Sequence, residues 1–333
     1  MQTSQNNTPP ILAIILPCYN EESVLPSTIE TIAALLGKMA DDGHISAESF
    51  ALFIDDGSLD ATWDVIAEHH RRDARIQGLK FAGNAGHQNA LLAGMAAAER
   101  QADCAITIDA DLQDDISVIP EMVRRFQAGS HIVYGVRRDR TTDTWFKRTT
   151  AGMFYTCMRL LGAPVVPGHA DFRLVSKFAM RAIGRYPEGN LFLRSIFPDM
   201  KLRSSCVYYA RKARTAGETK YPLRKMLSFA FHGITACSSV PLRLAAVLSI
   251  LTLFLAMLQT GASLVAYFSG NTIPGWTSLM LITLYLGSVQ LFCIALLGEY
   301  LAKVFTEVKR RPRFVIEKEL RCSLLNPPRH AER

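Results

Sequence analysis

The sequence predicts an α/β domain with a mostly parallel, doubly wound, Rossmann-like sheet, followed by a hairpin of two membrane-spanning helices. In the first half of the 333 residues, short apolar runs alternate with amphipathic stretches, as strands and helices do in such sheets. After about residue 240, two long runs contain no charged side chain. Each run exceeds the roughly 20 residues that a helix needs to cross a bilayer.

The predicted elements alternate regularly up to residue 134. Strands are expected at 11–16, 50–54, 76–81, 105–108 and 132–134, and helices at 22–38, from about 60, at 88–100 and at 119–126. Beyond residue 140 the pattern predicts a basic amphipathic helix at about 145–161 and a loop containing GHADFRL at 168–174.

Polar motifs follow three of the predicted strands. They read PCYNEE at 17–22, DDGS at 55–58 and DADLQDD at 109–115. Sites in doubly wound sheets lie at the carboxyl ends of the strands, so we expect one crevice to collect all three motifs.

The composition and the N-terminal residues indicate the possible binding partners and the cellular compartment of the protein. The net charge of +7 is compatible with nucleic acid, an anionic membrane surface or phosphorylated substrates. The seven cysteines lack the short spacing of zinc or redox sites, which indicates reduced intracellular thiols. The first residues include no basic side chain and lead into a short apolar run, unlike a secretory signal. The N-terminal domain is therefore expected in the cytoplasm.

Basic residues predict the orientation of the hairpin. Arg243 precedes the first apolar run and a basic cluster follows the second, whereas the connector at 269–276 contains no Lys or Arg. Both ends are therefore expected on the cytoplasmic side. The predicted organisation is a cytoplasmic domain at 1–221, an interfacial amphipathic segment at 222–242, a hairpin at 243–303 with spans at about 244–268 and 276–302, and a basic tail at 304–333. Buried helices of a soluble core, and an ordinary packed helix at 222–241, are the alternatives.

The acidic motif has two interpretations. Asp109 and Asp111 could simply form a turn, or they could hold Mg²⁺ or Mn²⁺ together with substrate phosphates. Gln113 could add a neutral oxygen ligand. Asp114 and Asp115 are expected to start the next helix, where acidic residues suit the positive end of the helix dipole.

A second group of candidate site residues is basic and carries the charge opposite to that of the acidic motif. Arg137 and Arg138 follow a predicted strand, and Arg211, Arg214 and Lys220 flank a glycine in ARKARTAGETKY. Such groups either clamp phosphates or form a solvated basic surface. Together with an acidic metal pair, they favour a metal-bound nucleoside diphosphate as the substrate.

Seven motifs in order carry a resemblance to a known family. They are PCYNEE, DDGSLDAT, NAGHQNALLAG, DADLQD, YGVRR, DFRL and RTAGETKYPLRK. The chain resembles family-two glycosyltransferases with the GT-A fold over about residues 11–312. It is most similar to the membrane-anchored polyprenyl-phosphate glycosyltransferases, which include bactoprenol glucosyltransferases and dolichyl-phosphate mannose synthases.

The resemblance implies roles for individual residues. Nucleoside contacts are implied for Pro17, Tyr19, Glu21 and Asp56, and metal binding for Asp109, Asp111 and Gln113. Contacts with the donor diphosphate or the acceptor phosphate are implied for Arg137, Arg214 and Lys220, with Arg148 and Arg211 as weaker members. The chain departs from the pattern at Gly83, where relatives commonly carry a basic residue.

Asp171 matches a carboxylate proposed as a catalytic base in the bacterial branch. A phosphate monoester has a second pKa of about 6, so the acceptor needs little base catalysis. Asp171 could instead orient Arg173 or another basic partner. His87 could bind the nucleotide or could simply begin a helix.

The implied enzyme transfers a sugar from a nucleotide donor, with UDP-glucose the first choice, to polyprenyl phosphate with inversion. It would use Mg²⁺ or Mn²⁺, act as a multi-pass protein of the bacterial inner membrane, and assemble as a homo-oligomer, with a tetramer suggested by the resemblance. No nucleic acid partner is expected. UDP-N-acetylglucosamine, a UDP-amino-arabinose derivative and GDP-mannose stay open as donors. A processive polysaccharide synthase is disfavoured because its Gln-x-x-Arg-Trp motif is missing. A non-catalytic scaffold that binds nucleotide sugars is the alternative from another class.

Overall fold

The computed structural model describes residues 8–137, 169–186, 188, 193–209, 240–269 and 275–321. The predicted basic helix at 145–161 and most of the interfacial segment lie outside these residues. Contacts divide the described residues into two compact units. The first contains all eight strands and the helices up to residue 199, and the second contains two long helices.

The first unit is built on one mixed sheet. Its strands are β1 (Leu12–Cys18), β2 (Phe50–Asp55), β3 (Ile76–Phe81), β4 (Cys104–Thr107), β5 (Ile132–Arg137), β6 (His169–Ser176), β7 (Ser204–Tyr209) and β8 (Ile316–Leu320). Their order across the sheet is β7-β5-β6-β4-β1-β2-β3-β8. The strands from β4 to β3 run parallel, as does the β5–β7 pair, whereas β6 and β8 are antiparallel to their neighbours.

Helices cover both faces of this sheet. They are α1 (Leu25–Asp41), α2 (Thr62–Arg72), α3 (His87–Ala98), α4 (Ile119–Gln127), α5 (Lys177–Ile183) and α6 (Leu193–Asp199). Alternate residues of β1 enter different cores: Leu12 and Ile14 pack in one hydrophobic cluster, Ala13 and Ile15 in the other. Such burial on both faces makes the parallel strands continuously apolar. The prediction of a doubly wound α/β domain is thus confirmed.

The predicted loop at 168–174 is wrong, because most of it belongs to β6. Phe172 and Leu174 point into one core and Val175 into the other, as a strand buried on both faces requires. Between them Arg173 is only 1% exposed and pairs with Asp171. This buried, neutralised charge interrupts the apolar run that would have identified a strand.

The segment predicted as a basic tail contributes β8 to the edge of the sheet. Phe314 stacks on Phe81 with ring centroids 4.9 Å apart, and the Arg313 Nη2 donates to the Tyr186 carbonyl at 2.6 Å. β8 then pairs antiparallel with β3. Residues that follow the last long helix therefore complete the sheet of the first unit.

The second unit contains α7 (Val240–Phe268) and α8 (Trp276–Val308). Large apolar side chains of these helices, including Phe254, Met257 and Phe292, are exposed. Within the described ranges, the stretch Tyr285–Val308 is long and apolar enough to cross a membrane, with a mean hydropathy of 1.5. The two-span membrane hairpin stays a prediction.

Candidate active site

The carboxyl ends of β1, β2 and β4 open into one crevice, as expected from the motifs. It is a cavity of ≈ 410 Å³ whose wall also includes the turn before α3. The lining residues are Pro17, Cys18, Tyr19, Glu21, Asp56, Asn84, Gly86, His87, Asp109, Ala110 and Asp111.

The motif after β1 is tied to the motif after β2 by hydrogen bonds. Asn20 adopts a left-handed backbone (φ 55), its N–H donates to the Ser58 Oγ at 3.0 Å, and its Oδ1 accepts from the Leu59 N–H at 2.8 Å. The Glu21 N–H donates to the Thr62 Oγ1 at 2.9 Å. These bonds fix the loop that presents Tyr19 and Glu21 to the cavity.

Asp56 organises the turn before α3. Its buried carboxylate accepts from the Ala85 N–H at 2.7 Å and from the Gly86 N–H at 2.9 Å. Burial raises the pKa of Asp56, and the two backbone hydrogen bonds partly offset that rise. The same turn approaches Gly57 so closely that a Cβ there would lie 2.5 Å from the Gly83 carbonyl carbon.

The acidic motif forms a tight turn after β4. The Leu112 backbone is left-handed (φ 45), and the buried Thr28 Oγ1 donates to the Ala110 carbonyl at 2.7 Å. Asp109 and Asp111 both line the cavity. The Gln113 amide nitrogen donates to Asp111, so this amide group orients a carboxylate of the pair.

Negative charge is concentrated on this side of the cavity. Burial and the nearby carboxylates of Asp111 and Asp109 raise the pKa of Glu21. Burial also raises the pKa of Asp109, an effect that Asp171 and Asp111 increase and His87 opposes. Such crowding of like charges favours a bound cation.

The donor set fits a hard divalent cation held by few protein ligands. Oxygen ligands suit Mg²⁺ and Mn²⁺, and Mg²⁺ commonly binds one or two carboxylates while substrate phosphates complete its coordination. In the part of the chain that the structure describes, no three His, Cys, Asp or Glu side chains converge to hold a metal alone. The Asp109–Asp111 pair therefore fits a cation that arrives with a phosphorylated ligand.

Asp171 lies at the start of a dense ionic network. Its carboxylate accepts from the Arg173 Nη2 at 2.5 Å and from the Arg194 Nη2 at 2.9 Å, and the His87 Nε2 lies 3.7 Å away. Burial alone would raise the pKa of Asp171, but His87 and the two arginines hold it far below its usual range. A carboxylate stabilised in this way is a weak base.

Asp114 has a different role from the one predicted. Asp115 caps the short helix Ile116–Val118 by accepting from the Ser117 N–H at 3.0 Å, as expected of a helix start. Asp114 is instead buried and accepts from the Tyr209 hydroxyl at 2.7 Å and from the Arg137 Nε at 3.2 Å. Arg137, predicted to meet phosphate, is thus anchored by an internal carboxylate.

Five basic residues that were predicted to contact phosphates lie outside the described residues. They are Arg138, Arg148, Arg211, Arg214 and Lys220. No sequence motif points to Arg194 on α6, which follows Asp171 by 23 positions in the chain. Thr28 and Tyr209 were not predicted either, because their side chains reach the site region only through tertiary packing.

Comparisons with known proteins agree with this architecture. The family model "Glycosyl transferase family 2" matches residues 13–184. A Bacillus subtilis protein named "Uncharacterized glycosyltransferase YkoT" is 46% identical over 97% of this chain and 96% of its own length. The "Prophage bactoprenol glucosyl transferase homolog" of Escherichia coli K12 is 34% identical over 92% of this chain and 98% of the relative. The "Bactoprenol glucosyl transferase" of Shigella phage SfII is also 34% identical, over 93% and 98% of the two chains.

The mixed α/β sheet is a GT-A-like domain, as the resemblance implied. The chain is a glycosyltransferase and belongs to glycosyl transferase family 2.

Proposed function

We propose that this enzyme transfers a sugar, with glucose from UDP-glucose as the first choice, to polyprenyl phosphate with inversion at the anomeric carbon. The observation that carries the proposal is that residues of the PCYNEE, DDGS and DADLQDD motifs line one and the same cavity. Relatives named bactoprenol glucosyl transferases, similar over nearly their whole length, support a polyprenyl phosphate acceptor.

In this proposal the donor nucleoside binds against Pro17, Tyr19 and Glu21. Tyr19 is half-exposed at the cavity wall, and its ring offers a flat surface to a base. Asp56 contributes by holding the turn at Ala85 and Gly86, because its carboxylate is already engaged by their N–H groups. Direct hydrogen bonding from Asp56 to the ribose is therefore a lesser part of its proposed role.

Asp109 and Asp111 are the proposed ligands of Mg²⁺ or Mn²⁺, with Gln113 orienting Asp111. When bound, such a cation stabilises the charge of the departing diphosphate. The protein itself presents two carboxylates at the cavity wall and fixes their turn through Thr28 and the Ala110 carbonyl.

The acceptor oxygen needs positioning more than deprotonation. A phosphate monoester is largely ionised at neutral pH, since its second pKa is about 6. The depressed pKa of Asp171 also disfavours a general base there. We therefore assign Asp171 an orienting role toward Arg173, Arg194 and His87. Arg137, Arg148, Arg211, Arg214 and Lys220 are the proposed partners of the donor and acceptor phosphates.

A lipid acceptor requires the reaction to occur at a bilayer surface. We propose a multi-pass protein of the bacterial inner membrane with its catalytic domain in the cytoplasm, anchored by the apolar helices. The stretch Tyr285–Val308 supports membrane attachment. The homo-oligomeric assembly that the resemblance implies belongs to the same proposal.

The direct test uses the purified full-length protein in detergent with undecaprenyl phosphate and Mn²⁺ or Mg²⁺. Radiolabelled UDP-glucose, UDP-N-acetylglucosamine, a UDP-amino-arabinose derivative and GDP-mannose are supplied separately, and lipid-extractable label is counted. Label from UDP-glucose above the other donors is expected. Label only from another donor would identify that nucleotide sugar, instead of UDP-glucose, as the donor. No label from any donor would contradict the proposed function.

The Asp111→Asn variant tests whether Asp111 serves as a metal ligand. It keeps the shape of the side chain but removes a charged oxygen ligand. We expect transfer to fall by about 10- to 1,000-fold, which corresponds to about 1.4–4 kcal/mol of transition-state stabilisation. Unchanged transfer would show that Asp111 does not serve the reaction.

A further inference from the structure

We propose that His87 is a positioning residue that joins Asp109 to Asp171 and thereby sets the orientation of the metal-binding carboxylate. The proposal rests on the proposed function and assigns a role to a residue that the sequence left open between nucleotide contact and plain helix start. It depends on geometry that brings three elements together at one end of the sheet.

His87 lies between the two carboxylates. Its Nε2 is 3.8 Å from the Asp109 Oδ1 and 3.7 Å from the Asp171 Oδ2. The imidazole is half-exposed and forms part of the cavity wall beside Asp109. It is therefore close enough to influence both groups electrostatically and to interact with a bound donor.

The sheet itself holds the two carboxylates near each other. Asp109 follows β4 and Asp171 lies on β6, and these strands pair antiparallel with Thr107 opposite Arg173. The Thr107 Oγ1 also donates to the Asp171 carbonyl at 2.5 Å. Pairing thus fixes the two backbones, while the orientation of each carboxylate depends on side-chain partners.

Those partners differ for the two carboxylates. Asp171 is 11% exposed and is held by both Arg173 and Arg194, so its position is fixed from within the domain. Asp109 is half-exposed and faces the cavity, where His87 lies within ion-pair distance. His87 is therefore positioned to hold the cavity-facing Asp109 carboxylate toward Asp171.

The backbone places His87 for this task. It is the first residue of α3 and follows Gly86, whose φ of 92 lies in the region that favours glycine. The N–H groups of Ala85 and Gly86 are held by the buried Asp56. The turn that forms one wall of the cavity therefore also determines where the imidazole meets Asp109 and Asp171.

The test compares His87→Ala and His87→Gln in the full-length enzyme. The Gln amide nitrogen can reach the position of Nε2, whereas Ala removes the link. Loss of a group that orients a metal ligand typically costs 10–100-fold in metal affinity or activity. We expect His87→Ala to lower kcat about 10–100-fold and to weaken Mn²⁺ binding in the presence of UDP by a similar factor. His87→Gln should recover most of both quantities.

Two measurements separate positioning from mere folding. Mn²⁺ binding is followed by the electron paramagnetic resonance signal of the free ion, and thermal unfolding is recorded for every variant. His69→Ala is the matched control, because His69 lies on α2 outside the cavity lining and its Nδ1 is 2.8 Å from the Val65 carbonyl of the same helix. It should change neither kcat nor Mn²⁺ affinity.

Wild-type kcat and Mn²⁺ affinity in His87→Ala would overturn the proposal. So would equal losses in the Ala and Gln variants that track their thermal unfolding. A wild type that transfers no sugar would contradict the proposed function instead, and the Mn²⁺-binding comparison would still decide the role of His87.

Discussion

Asp171 matches a motif position with a proposed catalytic role, but its contacts show that it also stabilises the fold. Its partner Arg173 is completely enclosed, contacts the Phe197 ring at 4.7 Å, and in the described residues has no hydrogen-bond partner for its Nε and Nη1. Asp171 provides the counter-charge that makes this burial tolerable. A buried ion pair is costly to break because one charge is left without compensation.

Asp171→Asn should therefore destabilise the protein as well as slow it. We expect a loss of about 3–5 kcal/mol in the free energy of unfolding, since the buried Arg173 loses its counter-ion. Denaturant unfolding of full-length protein in detergent measures this change. Asp73→Asn is the matched control, because its pair with Arg75 is partly exposed and surface pairs contribute at most about 1 kcal/mol.

The stability contributed by Asp171 should depend on pH in one direction. Its pKa is lowered on folding, so the contribution is complete above the unfolded value of about 3.9. It is lost as the pH falls from that value toward the folded pKa. The gap between wild type and Asp171→Asn should thus be constant from pH 6 to 8 and shrink in acid. A gap that widens in acid would contradict this assignment.

At the scale of elements, the site depends on loops that lock onto one another. The turn after β2 and the turn before α3 meet where Gly57 faces the Gly83 backbone, and at position 57 only a glycine leaves room for that backbone. Gly57 also has a φ of 70, which a residue with a Cβ adopts only with strain. This wall of the cavity is therefore sensitive to a single added methyl group.

Gly57→Ala and Gly43→Ala form a matched pair that separates backbone strain from collision. Gly43 has a nearly identical φ of 72, but a Cβ there would meet nothing within 4 Å. We expect Gly43→Ala to cost about 1–2 kcal/mol from φ alone. Gly57→Ala should cost about 1–3 kcal/mol more because of the clash, and should also weaken UDP binding. Thermal unfolding and calorimetric titration with UDP measure the two effects, and equal stability losses would contradict the close contact.

At the scale of the whole molecule, the chain returns to its first unit after the long helices. Residues 313–320 add Phe314 and β8 to the edge beside β3, so the C-terminal segment supplies an edge strand of the sheet. This return agrees with the predicted orientation in which both ends of the hairpin are cytoplasmic. If the first unit lies in the cytoplasm, as proposed, its edge strand β8 could not follow a single membrane crossing.

Reporter fusions test that topology. Alkaline phosphatase, which is active only outside the cytoplasm, should be active when fused after Thr272 in the connector and inactive when fused after Arg333. A fluorescent protein that matures in the cytoplasm should give the opposite pattern. Phosphatase activity at both positions, or at neither, would contradict the two-span hairpin.

The sequence alone determined the strand-and-helix order up to residue 134, the crevice at the strand ends and the acidic pair. The period of the apolar residues, the apolar runs and the motifs at strand ends are local properties of the sequence. They can therefore be identified without knowing which residues contact one another in the fold. The family resemblance came from the same local motifs. The wrong loop at 168–174 arose because the burial of Arg173 depends on a partner, Asp171, and on β4 and β5 beside it.

Only the tertiary structure decided how the polar groups are paired. It placed Asp114 with Arg137 and Tyr209, 95 residues further along the chain, instead of at a helix start. It also brought His87 between Asp109 and Asp171. Electrostatic pairing depends on distances of a few ångströms between side chains from separate elements, and sequence spacing carries no record of those distances.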